Sequence, residues 1–174
     1  MTFEQAIEQL KQWMIQSHGC AIHIGDDCEC EFTQLETYND EQIAATETTL
    51  GWHFPLALNV FLKEIGHSRL FYDPQYGLGI DIFSLEQIQQ TSEELKNLEE
   101  EEPITDQFCM IGTANSMGDY FGFTINRNTP DNFAIYCHEY PVFEYVNVLN
   151  ELNSWRTFED WIIQIVATLG EEEL

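Results

Sequence analysis

Apolar residues near the start of the chain recur at three- and four-residue steps, so Phe3, Ala6, Ile7, Leu10 and Met14 share one stripe of a helix ending near residues 17–19. Two short apolar runs follow, at 21–24 and 30–32, with Gly25, Asp26 and Asp27 between them; this is hairpin chemistry. Asn39 or Asp40 can cap a helix through Ile43 and Glu47 that stops at Leu50 and Gly51. Pro55 suits a first helical position, and Leu58, Phe61, Leu62 and Ile65 form a stripe closing at Gly66. Runs at 70–72 and 78–82 read as strands around a turn at Asp73, Pro74 and Gly77. Ser84 and Gln87 have capping-box spacing, which predicts a helix through Ile88, Leu95 and Leu98 before Pro103.

From Phe108 the period changes from helix-like to strand-like. Runs at 108–111, 120–125, 133–137 and 142–148 are rich in aromatic and β-branched residues, with turn signals at 115–118 and 126–131. A last helical stripe carries Trp155, Phe158, Trp161, Ile162, Ile165 and Leu169, with Thr157 or Ser154 as cap. Helices at both ends around antiparallel strands make the fold class α+β, and 174 residues fit a single domain, 1–174.

Composition adds one fact the pattern lacks. The formal charge is -25, from 31 Asp and Glu against 6 Lys and Arg. Lys11, Lys63, Arg69, Lys96, Arg127 and Arg156 are too scattered to form a phosphate-binding stripe, so nucleic acid is excluded as a partner, and anionic membranes are disfavoured by sign. Such a surface either maintains solubility or speeds the approach of a basic protein. Hydrophobic residues make up 44% of the chain, which is enough for a packed core despite the acidity. Five cysteines, an odd count, with no export-type leader and no apolar run long enough for a membrane, point to a soluble cytoplasmic protein.

Catalytic chemistry finds little support. Cys20, His23, Cys28 and Cys30 lie within eleven residues, and Cys28 and Cys30 would share a face of a strand. Their spacing is not that of zinc knuckles, and thiols of this kind usually pack as small hydrophobes, so no metal or cofactor is assigned; whether the four bind metal stays open. Cys137 and His138 are adjacent, which on a strand sends their side chains to opposite faces. His53, before Phe54 and Pro55, reads as a loop residue, and no phosphate-cradling glycine loop occurs. Asn115, Ser116, Met117, Gly118 and Asp119 form a turn in which Gly118 takes a positive φ.

Four motifs in order carry a resemblance. Glu47, Leu50, Gly51, Phe54, Pro55, Phe61, Leu62 and Gly66 resemble the opening signature of the SUKH superfamily, which includes the fungal Smi/Knr cell-wall regulators; Phe54 replaces the usual Leu, and Ile65-Gly66 stands for Asn-Gly. Gly79-Ile80 with Leu85, Glu86 and Ile88 is similar to the family's strand and following helix. Ile111-Gly112, Asn115, Gly118, Asp119 and Phe121 are similar to its Ile-Gly and Gly-Asp strand pair, and Phe158, Glu159, Asp160 and Trp161 to its closing helix. The resemblance covers about residues 40–165 and leaves 1–35, a helix and hairpin, outside it.

The resemblance implies a central, bent, mainly antiparallel sheet flanked by helices, and for bacterial members a non-catalytic immunity role. On this reading the chain neutralises a basic, nuclease-like toxin by occluding its active site. The alternatives are a regulatory or scaffolding adaptor using the same fold and, more weakly, a zinc-binding enzyme. Candidate contacts are Asp73, Tyr76, Asp119 and the run Glu99, Glu100, Glu101 and Glu102, while Glu47, Gly51, Pro55, Gly66 and Gly118 are structural positions.

Overall fold

The computed structural model describes residues 1–25, 28–96, 108–114, 118–125, 133–136 and 157–170, without the side chains of Cys28 and Lys96. Its elements, in order, are α1 (Phe3–Ser17), β1 (Ile22–Ile24), β2 (Cys28–Glu36), α2 (Asp40–Leu50), α3 (Leu56–Glu64), β3 (His67–Asp73), β4 (Leu78–Ile82), α4 (Leu85–Lys96), β5 (Phe108–Ala114), β6 (Asp119–Thr124), β7 (Phe133–Tyr136) and α5 (Phe158–Ala167). Among the described residues these are five helices and seven strands, an α+β fold. The sheet is a meander in the order β1 to β7, with every neighbouring pair antiparallel.

Local chemistry fixes the helix starts. Thr2 with Gln5, Asn39 with Gln42, and Ser84 with Gln87 each form a reciprocal capping box, and Thr157 caps α5 through the Asp160 N–H. Pro55 is the N-cap of α3 and not its first helical residue, because its ψ of 148° is extended and its carbonyl already accepts the Asn59 N–H. Leu169 likewise lies beyond α5, at φ 58°, where the chain has turned left-handed.

Side-chain alternation gives the sheet two unlike faces. The inner face is covered by α1, α3 and α5 in one cluster that holds Leu58, Phe61, Leu62, Phe121, Phe123, Phe158, Trp161 and Ile162 together. Trp161 sits 4.7 Å from the Phe121 ring and 5.0 Å from Phe133, and Phe158 meets Phe61 edge-on at 5.4 Å. α1 belongs to the same cluster through Phe3, Ala6, Ile7, Leu10, Trp13 and Met14. On the outer face a smaller group, Phe108, Met110, Ala134 and Tyr136, packs with Leu95 of α4, so α4 covers that face only at its β5–β7 end.

β3 carries a bulge at Phe71, whose φ is 50°, and the register with β4 slips between Leu70 and Asp73. The bulge turns Leu70 and Phe71 both inward, where Phe71 meets Phe32 at 5.0 Å and Trp13 at 5.7 Å. Tyr72 is consequently re-aimed to the outer face.

Candidate functional site

Glu47 organises the junction between α2 and α3. Its Oε1 accepts the Phe54 N–H at 2.7 Å, Oε2 contacts His53 Nδ1 at 3.1 Å, and its carbonyl accepts the N–H of Gly51, which closes α2 at φ 68°. The part-buried carboxylate thereby satisfies the amide of the residue before Pro55 and holds Trp52 and Phe54 in contact with each other, with Trp52 5.1 Å from Phe123. His53 points to solvent, with its side chain 94% exposed, as a loop residue. At the other end of α3, Gly66 has φ 69°, and a Cβ there would collide with the Glu36 carbonyl and lie 2.9 Å from Thr37 Cα. Glu47, Gly51, Pro55 and Gly66 are therefore backbone devices that set α3 against the sheet.

The turns after β1, β3 and β5 all fall at one end of the meander. In the β3–β4 turn Asp73 Oδ1 accepts the amides of Gln75 at 2.7 Å and Tyr76 at 3.3 Å, and leaves Tyr76 68% exposed. In the β5–β6 turn the Gly118 N–H bonds to the Ala114 carbonyl, and Gly118 has φ 76°. Asp119 follows it and is buried. β3 and β6 are three strand spacings apart, about 14 Å, so Asp73 and Tyr76 share an end of the sheet with Asp119 without touching it. Glu99, Glu100, Glu101 and Glu102 lie outside the described residues, as do Asn115, Ser116, Met117, Cys137, His138 and the expected strand at 142–148.

The outer face of β2–β4, left open by α4, carries a group that residue types alone do not reveal. Arg69 Nε donates to Asp81 Oδ1 at 2.7 Å across the β3–β4 register, and its guanidinium lies 4.5 Å from the centre of the Tyr72 ring. The bond to Asp81 raises the Arg69 pKa further and keeps it charged. Tyr120, 40% exposed, stands farther along this face, edge-on to Phe83 at 6.3 Å. Strand alternation could have placed Arg69 opposite Asp81. The left-handed Phe71 that brings Tyr72 beneath Arg69 has no sequence signal, because left-handed backbone is normally a glycine or asparagine property.

Charge is arranged unevenly. The described Lys and Arg side chains are Lys11, Lys63 and Arg69, and each is paired with an acid: Glu64 at 2.7 Å, Asp40 at 3.0 Å and Asp81 at 2.7 Å. The surface they leave is acidic or neutral.

The N-terminal hairpin pairs Ile22 with Cys30 and His23 with Glu29, which buries Cys30 and leaves His23 and Cys20 exposed. Among the described residues no group of three or more His, Cys, Asp or Glu is placed to hold a metal ion, and no helix is long and apolar enough to cross a membrane.

Comparison with known proteins places this geometry. No solved structure matches the chain. The immunity protein RhsIB of Dickeya dadantii (strain 3937) is 22% identical over 167 residues, spanning 95% of this chain and 96% of that protein. The model of the SMI1 / KNR4 family (SUKH-1) matches residues 37–164. That stretch begins just before the Asn39 cap, contains the Glu47 junction and the Gly118 turn, and ends within α5, so the chain belongs to the SMI1 / KNR4 family (SUKH-1).

Proposed function

We propose that this chain is an immunity-type protein: a non-catalytic, cytoplasmic inhibitor that binds a basic toxin domain and occludes its active site. The observation that carries the reading is the likeness to an immunity protein along nearly the full length of both chains. A charge of -25, with each described Lys and Arg already paired, supports a cationic partner, because the field attracts a basic surface with little local repulsion. In this reading, acids take the places of the phosphates in the toxin's substrate, and Asp73 and Tyr76 at the turn end are contacts, with Asp119 and the run Glu99, Glu100, Glu101 and Glu102 as further candidates. In the same reading residues 1–35, a helix and hairpin, are an addition to the family unit within a single domain.

The test uses the basic C-terminal domain of a secreted protein encoded beside this chain. Its activity should fall to zero at one equivalent of this chain, and stopped-flow association should slow as salt is added, since the Debye length shrinks to about 8 Å at physiological strength. An adaptor would bind without inhibiting. A salt-independent association rate, or catalytic turnover by this chain itself, ends the acidic-inhibitor reading.

A further inference from the structure

The N-terminal hairpin leaves part of a strand edge unpaired among the described residues. β1 has only three residues and pairs with β2 at Cys28, Glu29 and Cys30, whereas β2 runs on to Glu36. Beyond Cys30, β2 is paired on its β3 side alone, so among the described residues no strand lies along its other edge at 31–36. Such an edge presents backbone donors and acceptors to any extended chain. At its upper limit Ser17 Oγ accepts the Phe32 N–H at 3.0 Å, which closes the ladder where β1 stops.

The edge opens into a cleft of about 490 Å³ between α1 and β2. Met14 and Ile15 of α1 form one wall and Phe32 the base, while the Gln34 amide, bonded to the carbonyls of Glu64 and Ile65, lies at the α3 end. Ile15 is 58% exposed and Leu35 of β2 59%, so apolar side chains flank the edge with no covering element among the described residues. Acids surround it. Glu31 and Glu36 lie on the strand itself, and Glu64 lines the cleft with its carboxylate on Lys11.

We infer that this edge and cleft take an extended, basic segment of a protein partner as an added strand. Strand addition draws affinity from main-chain bonds and selectivity from pockets for alternate side chains; here Met14, Ile15 and Phe32 line the cleft that receives the apolar ones, while the strand's own Glu31 and Glu36 attract the cationic ones. A second copy of this chain is the wrong occupant, because it would bring the same acids to the same edge at a charge of -25 per chain. The inference rests on the reading of the chain as a protein binder and deepens it. The edge and nearly all of the cleft precede residue 37, where the family match begins, yet fall within the 95% of this chain that the relative covers.

The probe is a capped decapeptide of alternating valine and arginine, with two controls: the same peptide N-methylated throughout, and one with glutamate for arginine. Fluorescence anisotropy in about 0.15 M salt should show saturable binding of the first alone, with the N-methylated peptide at least about tenfold weaker, equivalent to losing one or two backbone hydrogen bonds. Amide exchange at residues 33–36 should slow on binding. Ile15→Ser should weaken the peptide severalfold, and Leu56→Ser, at an apolar residue 80% exposed on α3, should not. Equal binding of the N-methylated peptide means charge attraction alone and overturns the inference, as does protection confined to the face bearing Arg69 and Tyr72. No toxin enters the experiment, so the edge can fail while inhibition holds, and the reverse.

Discussion

Replacing Glu47 by alanine removes two interactions of very different worth. The contact with His53 involves a side chain 94% exposed, and such pairs contribute about 0–1 kcal/mol. The bond from the Phe54 N–H is 2.7 Å, charge-assisted and part-buried, of a kind worth about 1.5–3 kcal/mol, and its loss leaves an amide without a partner next to Pro55. Glu47→Ala should therefore cost about 2–3 kcal/mol, Glu47→Gln about 1 because a neutral oxygen can still accept, and His53→Ala less than about 0.5. For a chain of 174 residues, the alanine variant should melt roughly 4–12 °C lower. Urea denaturation followed by tryptophan fluorescence reads all three, with Trp52 reporting on the junction itself. If His53→Ala costs as much as Glu47→Ala, or if the latter is within about 0.5 kcal/mol of the parent, the carboxylate is not what joins α2 to α3.

Gly51 and Gly66 share a left-handed φ but not their surroundings: a Cβ at Gly51 meets nothing, while one at Gly66 strikes the Glu36 carbonyl. Gly51→Ala should cost about 1–2 kcal/mol and Gly66→Ala about 3–5, from conformational strain plus overpacking, and equal losses in denaturation would refute the contrast. Trp161→Ala should cost about 3–5 kcal/mol, since the ring is buried among Phe121, Phe133 and Phe158; a near-neutral result would make α5 peripheral. His67 titrates below the ordinary histidine value because burial disfavours its cation, against the attraction of Glu36 and Asp81. Its contribution to stability is then complete above about pH 6.5 and is lost as pH falls through the lowered value, so the parent should lose more stability between pH 7 and 5 than His67→Gln. An NMR titration placing His67 at or above the ordinary value would contradict this.

Helix ends were legible because they are written in local chemistry. Asn39 with Gln42 and Ser84 with Gln87 sit at the spacing a capping box demands, and Gly66 stands where a left-handed residue must end α3. β2 was only half visible, as its residues 33–36 lack apolar alternation; Gln34, Leu35 and Glu36 are exposed, and tertiary pairing with β3 makes them a strand. Turn chemistry pointed to Asp73 and Gly118, yet only the alternating strand directions place their turns at the same end of the sheet. Nothing local announces the cleft between α1 and β2, because it depends on β1 stopping after three residues while β2 continues.

So acidic a chain must also hold itself together, and its acids are placed where the backbone helps. Glu4, Asp40, Glu41, Glu86, Glu159 and Asp160 lie in the first turns of α1, α2, α4 and α5, where unpaired amides and the helix dipole favour negative charge. The Glu4 carboxyl is held below the usual carboxylate range by its backbone amide and the Thr2 hydroxyl. That placement absorbs only part of 31 acids, and the remainder repel one another across the surface. Added salt screens this repulsion and should raise the denaturation midpoint, while the same salt slows association with a basic partner. The two responses have opposite sign in one buffer series, so slower binding at high salt cannot be ascribed to a loosened fold. A midpoint that falls with salt would mean that attractive pairs such as Lys11–Glu64 and Arg69–Asp81 outweigh the repulsion.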